Sequence, residues 1–296
     1  MSNHPEDDDA KHAELLPILD DEEEGFGDET EEGPDFDEEA IVEGPRTILI
    51  TGASGNIGRK LREAWEEVYD LVLLDVAPPE DDEEDVVAAD LSEFAEEWMA
   101  LVHGVDTVIH LAASPDEHSS WEDLVAPNLD AVANVFHAAA LAGVERIIFA
   151  SSNHAMGGYR ELGDIAITAE LPPRPGNPYG AAKLMAERLG RSLSGIFDLT
   201  FVALRLGWVQ SGENRPETLP DEWNKELWLS NGDLVRLFVR AVEADLGDRS
   251  FVVVNGMSKN HGSRWDLSET FDAIGYVPRD DSFADDTRHP GPRSLG

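Results

Sequence analysis

Tyr179 and Lys183 stand four residues apart in the run Pro178–Lys183, PYGAAK. On a helix that spacing puts both side chains on one face, since a turn takes about 3.6 residues. An ammonium beside a phenol favours the phenolate and draws the tyrosine down from its ordinary pKa near 10. The pair is therefore a candidate general acid/base for a hydroxyl proton. Upstream, Thr51–Gly58 reads TGASGNIG, and the pair Ser151–Ser152 lies between the two runs. A hydroxyl, a proton acceptor and a glycine-rich turn together imply nicotinamide-dependent chemistry on an alcohol or carbonyl.

Those groups need elements to hold them. TILIT (Thr47–Thr51) reads as a buried strand, followed by the glycine turn and a helix over about Asn56–Tyr69. In G-x-x-G-x-x-G, Gly52 permits the tight turn, Gly55 lets backbone approach a pyrophosphate and Gly58 lets helix and strand pack closely. Ser54, Asn56 and Ile57 lie in the turn and the helix start, where unpaired N–H groups and the positive dipole end face the phosphates. Asp75 ends a second strand, Leu71–Asp75, 20 residues beyond Gly55. A carboxylate there accepts from a ribose 2′-hydroxyl and repels a 2′-phosphate. No Arg or Lys occurs in the following Val76–Ala77–Pro78–Pro79, so NAD is expected over NADP. Asp90 and Leu91, after a short strand at Val86–Ala89, are placed to meet the adenine, although an Asp before a helix is equally a cap.

Further strands are expected at Asp106–Leu111, Arg146–Ser151, Leu199–Leu206 and Phe251–Val254. Helices are expected over about Ser92–His103, Asn128–Ala142, Pro178–Leu193 and Asp233–Ala244. Strands alternating with helices predict an α/β fold, a doubly wound parallel sheet of the Rossmann kind. The expected organisation is an acidic, disordered tail over 1–44, an NAD-binding domain over 45–285 and a frayed end at 286–296. The substrate segments are expected mainly at 155–178 and 207–285.

The formal net charge is -40. Residues 1–44 carry 19 acids and one Lys; the remainder carries 43 acids against 21 bases, so acidity is not confined to the tail. Only five lysines occur, against 17 arginines. A carboxylate-rich surface of this kind keeps a protein hydrated in high salt, and a halophilic, cytoplasmic protein is expected. The same surface argues against nucleic acid, which requires clustered Lys and Arg, and against anionic membranes. No apolar run approaching 18 residues and no signal peptide are evident. Without cysteine there is no disulfide or thiolate chemistry. No paired-histidine spacing suggests a metal, so none is expected.

The ordered set TGASGNIG, Asp75, Asp90–Leu91, HLAA (His110–Ala113), Asn128, SSNH (Ser151–His154) and YGAAK (Tyr179–Lys183) resembles the extended short-chain dehydrogenase/reductase family. Within it, FASSNHAMGGY (Phe149–Tyr159), LRLGW from Leu204 and WLSNGDL (Trp228–Leu234) are similar to NAD-dependent uronate dehydrogenases and a haloarchaeal glucose-6-phosphate dehydrogenase type. The resemblance implies that Tyr179 is the acid/base, that Lys183 lowers its pKa and holds the cofactor ribose, and that Ser152, rather than Ser151, binds the reacting oxygen. It adds Leu111, Ala112, Ala113 and Asn128 to the cofactor site, and Ser114, Asn153 and His154 to the substrate site. His110 is expected to be structural.

Two positions depart from that pattern. Trp223 stands where uronate dehydrogenases carry a carboxylate-clamping arginine, and Trp208 stands where they carry a serine. Arg215 and Lys225 are the nearby cations that could substitute, and Trp208 is expected against the sugar. The resemblance implies oxidation of the C1 hydroxyl of an aldose or uronic acid to a lactone, with uronate, sugar phosphate and free sugar all open. Rival readings are a nucleotide-sugar epimerase or dehydratase that retains NAD, and a non-catalytic NAD sensor. A homo-oligomer is expected by analogy of fold.

Overall fold

The computed structural model describes residues 45–79 and 86–284. The acidic segment 1–44 and the end from 285 lie outside the described residues, and with them the expected disordered tail and frayed terminus.

Strand β1 (Thr47–Thr51) is an inner strand of a seven-stranded parallel sheet with β2 (Asp70–Asp75), β3 (Val86–Ala88), β4 (Thr107–His110), β5 (Arg146–Ser152), β6 (Thr200–Leu206) and β7 (Phe251–Gly256). The order is β3-β2-β1-β4-β5-β6-β7. Chain direction of growth reverses between β1 and β4, so the crevice at their carboxyl ends is where such sheets bind ligands. Thr51, Asp75, His110, Ser152 and Leu206 all end strands on that edge.

Both faces of the sheet are covered, which explains strands that read as continuous apolar runs. On one face Ile48, Ile50, Ile148 and Leu204 pack with Leu61 and Trp65 of α1 (Asn56–Trp65). Leu234, Leu237 and Phe238 of α7 (Asn231–Glu243) complete that layer, together with Ile274 of α8 (Ser268–Ile274). On the other, Leu49, Val108, Ile147, Phe149 and Phe201 meet α4 (Ala131–Ala142) and α5 (Pro178–Ser194). A smaller cluster of Met156, Ile167, Leu227, Met257 and Trp265 is built from the segments expected to carry the substrate site.

Two elements differ from expectation. The helix expected over Ser92–His103 is only α2 (Glu96–Met99) with a 3₁₀ turn after it. Asp90 holds the Ser92 N–H and hydroxyl, while Asn134 Nδ2 donates to the carbonyls of Leu91 and Ser92, at 3.0 Å each. Those bonds compete with a helix start. The helix expected from Asn128 instead begins at α3 (Trp121–Leu124), capped by Ser120, and passes through a π turn at Val125–Asp130 before α4. Pro127 falls inside the π turn, where its missing N–H removes one rung of the ladder. The combined stretch Trp121–Ala142, 22 residues, is long and apolar enough to cross a membrane by length and composition, against the expectation that no run approaches that length. Half of it is buried, with Val132, Val135 and Phe136 packed on the sheet as a core helix.

Candidate active site

Helix α5 is set by Asn177, whose Oδ1 accepts the Gly180 N–H at 2.8 Å, and by Pro178 at its first turn, where no N–H is needed. Gly180 leaves room for the 3₁₀ turn at Asn153–Tyr159: a Cβ there would overlap the His154 carbonyl oxygen. This approach brings Tyr179 against the end of β5. The Ser152 hydroxyl hydrogen-bonds the Tyr179 phenol and accepts from the His154 N–H at 3.2 Å. Ser151 donates its hydroxyl to Glu187 Oε1 at 2.6 Å. Glu187 is itself gripped by Arg205, through Nε at 3.0 Å and Nη2 at 2.9 Å, all three groups being buried. Successive strand residues face opposite ways, so one serine anchors the floor and the other addresses the cleft.

Lys183 shares Tyr179's face, its Nζ lying 5.6 Å from the phenol ring centroid and 4.8 Å from that of Phe149. It donates to the Ala150 carbonyl at 2.8 Å. The expected depression of the tyrosine is not what this geometry produces. Burial pushes Tyr179 up to about 12, with the Ser152 hydrogen bond opposing, and burial brings Lys183 down to about 7. Desolvation penalises the charged form of both groups and is the largest cause of each shift. His110, fully buried beside Phe136 and Phe149 and hydrogen-bonded to Thr51 at 2.8 Å, is lowered to about 3, first by burial and then by Lys183. It is a neutral core residue, as expected.

His154 stands edge-on to Tyr179, ring centroids 5.6 Å apart. Because Asn177 Oδ1 is taken by Gly180, its Nδ2 donates to His154 Nδ1 at 3.0 Å. The imidazole proton is thereby assigned to Nε2, which faces Glu117 Oε2 at 2.9 Å. Burial lowers His154, Glu117 raises it and His118 lowers it. Asn153 Nδ2 donates to the Leu206 carbonyl at 3.0 Å, tying the ends of β5 and β6.

Two adjoining clefts of about 740 and 610 Å³ meet at Gly52, Gly55, Leu111 and Ala113. The first contains Tyr179, Lys183, Ser152, Asn153, His154 and Trp208; Asn56, Ile57 and Gly58 close its floor. The second runs past Ser54, Asp75, Ala112, Ser114, Asp90 and Leu91. Gly52 has φ +71°, and a Cβ on it would stand 2.8 Å from the Ala112 nitrogen; one on Gly58 would overlap the Gly52 carbonyl oxygen. The turn thus admits no side chain and leaves the first N–H groups of α1 facing the cleft. Asp75 accepts from Ser54 N–H at 2.9 Å and Ala77 N–H at 3.1 Å, one on each oxygen, which leaves lone pairs for a ribose diol. Ser54 Oγ is buried here without a partner. A bare helix end, an acceptor carboxylate and an orphaned hydroxyl along one elongated groove fit a dinucleotide.

The sequence matches the profile of the NAD dependent epimerase/dehydratase family over residues 48–223. The chain belongs to that family. It is 34% identical over 251 residues to an L-arabinose 1-dehydrogenase (NAD(P)(+)) of Haloferax volcanii, covering 79% of this chain and 97% of the relative. It is 32% identical over 254 residues to an NAD-dependent glucose-6-phosphate dehydrogenase of the same organism, covering 79% and 94%. Among solved structures, uronate dehydrogenase from Agrobacterium tumefaciens complexed with NAD superposes with a TM-score of 0.68 at 27% identity, covering 85% of this chain and 92% of that one.

In this family member not every expected site residue reaches the clefts. Asn128 is buried with both amide atoms on Ser114, accepting its N–H at 2.8 Å and donating to its carbonyl at 3.1 Å. It shapes the loop after β4 rather than lining the groove, and Ser114 lies on the Asp75 side, away from Tyr179. Arg215 pairs with Glu213 on the surface, and Lys225 Nζ lies 5.3 Å from the Phe283 ring centroid; neither lines either cleft. The structure adds Glu117, Arg160, Asp221 and Trp223 to the Tyr179 cleft, and Arg59 to the Asp75 groove. Arg59 follows Gly58 directly, so the turn motif itself located it; the expectation of no cation near Asp75 counted only the residues after the strand. Nothing local marked Arg160, which arrives through the packing of segment 155–178.

Proposed function

We propose that this protein is an NAD-dependent dehydrogenase that oxidises the C1 hydroxyl of a cyclic aldose, or of its acid or phosphate derivative, to the lactone. The observation that carries it is that Ser152, Tyr179 and Lys183 line a polar cleft that adjoins the glycine-turn groove through Gly52, Gly55, Leu111 and Ala113. In the proposal Gly52, Gly55, Asn56, Ile57 and Gly58 cradle the pyrophosphate, Asp75 holds the adenosine ribose, and Asp90 and Leu91 flank the adenine. NAD, when bound, supplies the hydride acceptor for the hydrogen on C1. Ser152 donates to the C1 oxygen, and the Tyr179 oxygen takes its proton. As an ammonium, Lys183 favours the Tyr179 phenolate that must exist before this transfer converts it to the phenol, a role its lowered pKa leaves available near neutrality. Asn153, His154 and Trp208 contact the sugar, His154 being fixed in one tautomer by Asn177 and Glu117. The segments 155–178 and 207–285 supply the substrate side of the cleft.

Incubation with NAD and a panel of aldoses, aldose phosphates and uronates, read by NADH absorbance and lactone analysis, tests this. One NADH per lactone is expected. A C4-epimerised product with no net NADH would transfer the chain to the epimerase reading. Tight NAD binding with no turnover of any sugar would leave a sensor.

The reading extends to a halophilic cytoplasmic enzyme, supported by the 43 acids against 21 bases beyond residue 44. Loss of folded structure on transfer from molar salt to dilute buffer is expected, and full stability in dilute buffer would contradict it. A homo-oligomer is part of the same reading, supported by the exposed Leu141 on α4 and Met185 on the neighbouring α5.

A further inference from the structure

The charges lining the Tyr179 cleft are unevenly available. Its carboxylates are Asp116, Glu117 and Asp221, and its cations are Arg160 and Lys183. Lys183 is buried under Tyr179 with its ammonium on the Ala150 carbonyl. Arg160 Nη2 is 2.8 Å from Asp221 Oδ2, and its guanidinium lies 6.0 Å from the Trp223 ring centroid. Asp221 is itself held in place as the cap of the short helix Glu222–Glu226, accepting the Asn224 N–H at 2.9 Å. Among the described residues that line the cleft, the one guanidinium is therefore already paired with a carboxylate held in place by its own helix cap. A substrate carboxylate or phosphate arriving there would compete with Asp221 for Arg160 and would meet the like charges of Asp116 and of Glu117, whose Oε2 already faces His154 Nε2. High salt screens the protein's long-range field but not such contacts, which fall within about 3 Å, the Debye length at 1 M.

What the cleft does offer suits an uncharged polyol. Carboxylates on Asp116 and Glu117 accept from sugar hydroxyls, and the Asn153 and Asn224 amides supply mixed donors and acceptors. Two indoles, Trp208 and Trp223, line the same cleft, and Trp208 is 38% exposed. A pyranose presents apolar C–H faces that pack on such rings. From this geometry we infer that the cleft selects a neutral aldose, a pentose or hexose bearing neither carboxylate nor phosphate, and that the Arg160–Asp221 pair with Trp223 enforces the selection. This rests on the dehydrogenase reading above and narrows its substrate.

The test is kcat/KM for NADH formation at one fixed salt concentration, with neutral pentoses and hexoses against glucuronate, galacturonate and glucose 6-phosphate. The neutral sugars should lead by about tenfold or more. Asp221→Asn, which frees Arg160, and Trp223→Arg, which adds a cation to the cleft, should each shift the ratio toward the anionic sugars by about tenfold, with the neutral rate changing less. Equal or greater kcat/KM for a uronate or phosphate in the unaltered protein overturns the inference while leaving the dehydrogenase reading intact. An unmoved ratio in both folded variants overturns the assignment to these residues. No oxidation of any sugar overturns the dehydrogenase reading itself.

Discussion

Lys183→Met should make the protein more stable at neutral pH and inactive, and the size of the gain should depend on pH in a defined way. Burial lowers Lys183 from 10.5 to about 7. At about 1.4 kcal/mol per pH unit, that gap corresponds to roughly 5 kcal/mol. The unfolded chain binds this proton up to about pH 10.5, whereas the folded chain binds it only below about pH 7. Between those values unfolding takes up a proton, so stability rises with pH. The penalty is absent above about 10.5, grows as pH falls, and is complete below about 7. Methionine removes it but leaves the Ala150 carbonyl, now bonded at 2.8 Å, without its donor, which costs about 1–3 kcal/mol. The net expectation is a gain of roughly 2–4 kcal/mol at pH 7 that disappears or reverses by pH 10.5. Thermal and urea unfolding of cofactor-free protein at fixed salt across pH 6.5–10.5 would measure it. Equal destabilisation of the variant at every pH would refute the reasoning, because it would mean that the ammonium is well solvated or well paired in the fold.

Three other outcomes follow from the same geometry. Glu187→Gln breaks the bidentate bond to the buried Arg205 and should cost about 3–5 kcal/mol in urea unfolding, whereas Glu187→Gln with Arg205→Met should recover much of that loss. Gly180→Ala drives a methyl into the His154 carbonyl and should lower kcat by about 10²-fold through displacement of Tyr179, out of proportion to its effect on NAD affinity. Asp75→Ser removes the carboxylate that opposes a 2′-phosphate beside Arg59, and the kcat/KM ratio of NADP to NAD should rise by about tenfold or more.

The parts of this site that were legible in the sequence are those fixed by local geometry. Helical spacing placed Tyr179 over Lys183, and the glycine turn located its own helix end; the choice of Ser152 over Ser151 came from the family resemblance. Asp75 and Asp90 likewise sit where strand ends put them. The parts that were not legible depend on contacts between distant segments. Asn134 reaches back 42 residues to cut α2 short, and Asn128 spends its amide on Ser114 rather than on the groove. Arg160 meets Asp221 across 61 residues, while Arg215 and Lys225, nearer in sequence to the position they were to replace, point elsewhere. The ionisation of Lys183 belongs to the same class. Helical spacing shows that it meets Tyr179, but only the packed fold shows that burial lowers it.

The most direct test of the central claim is hydride tracing with an aldose deuterated at C1. Wild-type protein with NAD should yield the lactone and a reduced cofactor heavier by about one mass unit, and Tyr179→Phe should retain NAD binding while losing about 10²–10⁴ in rate. Unlabelled reduced cofactor, or near-normal turnover by Tyr179→Phe, would contradict oxidation at C1 by this tyrosine.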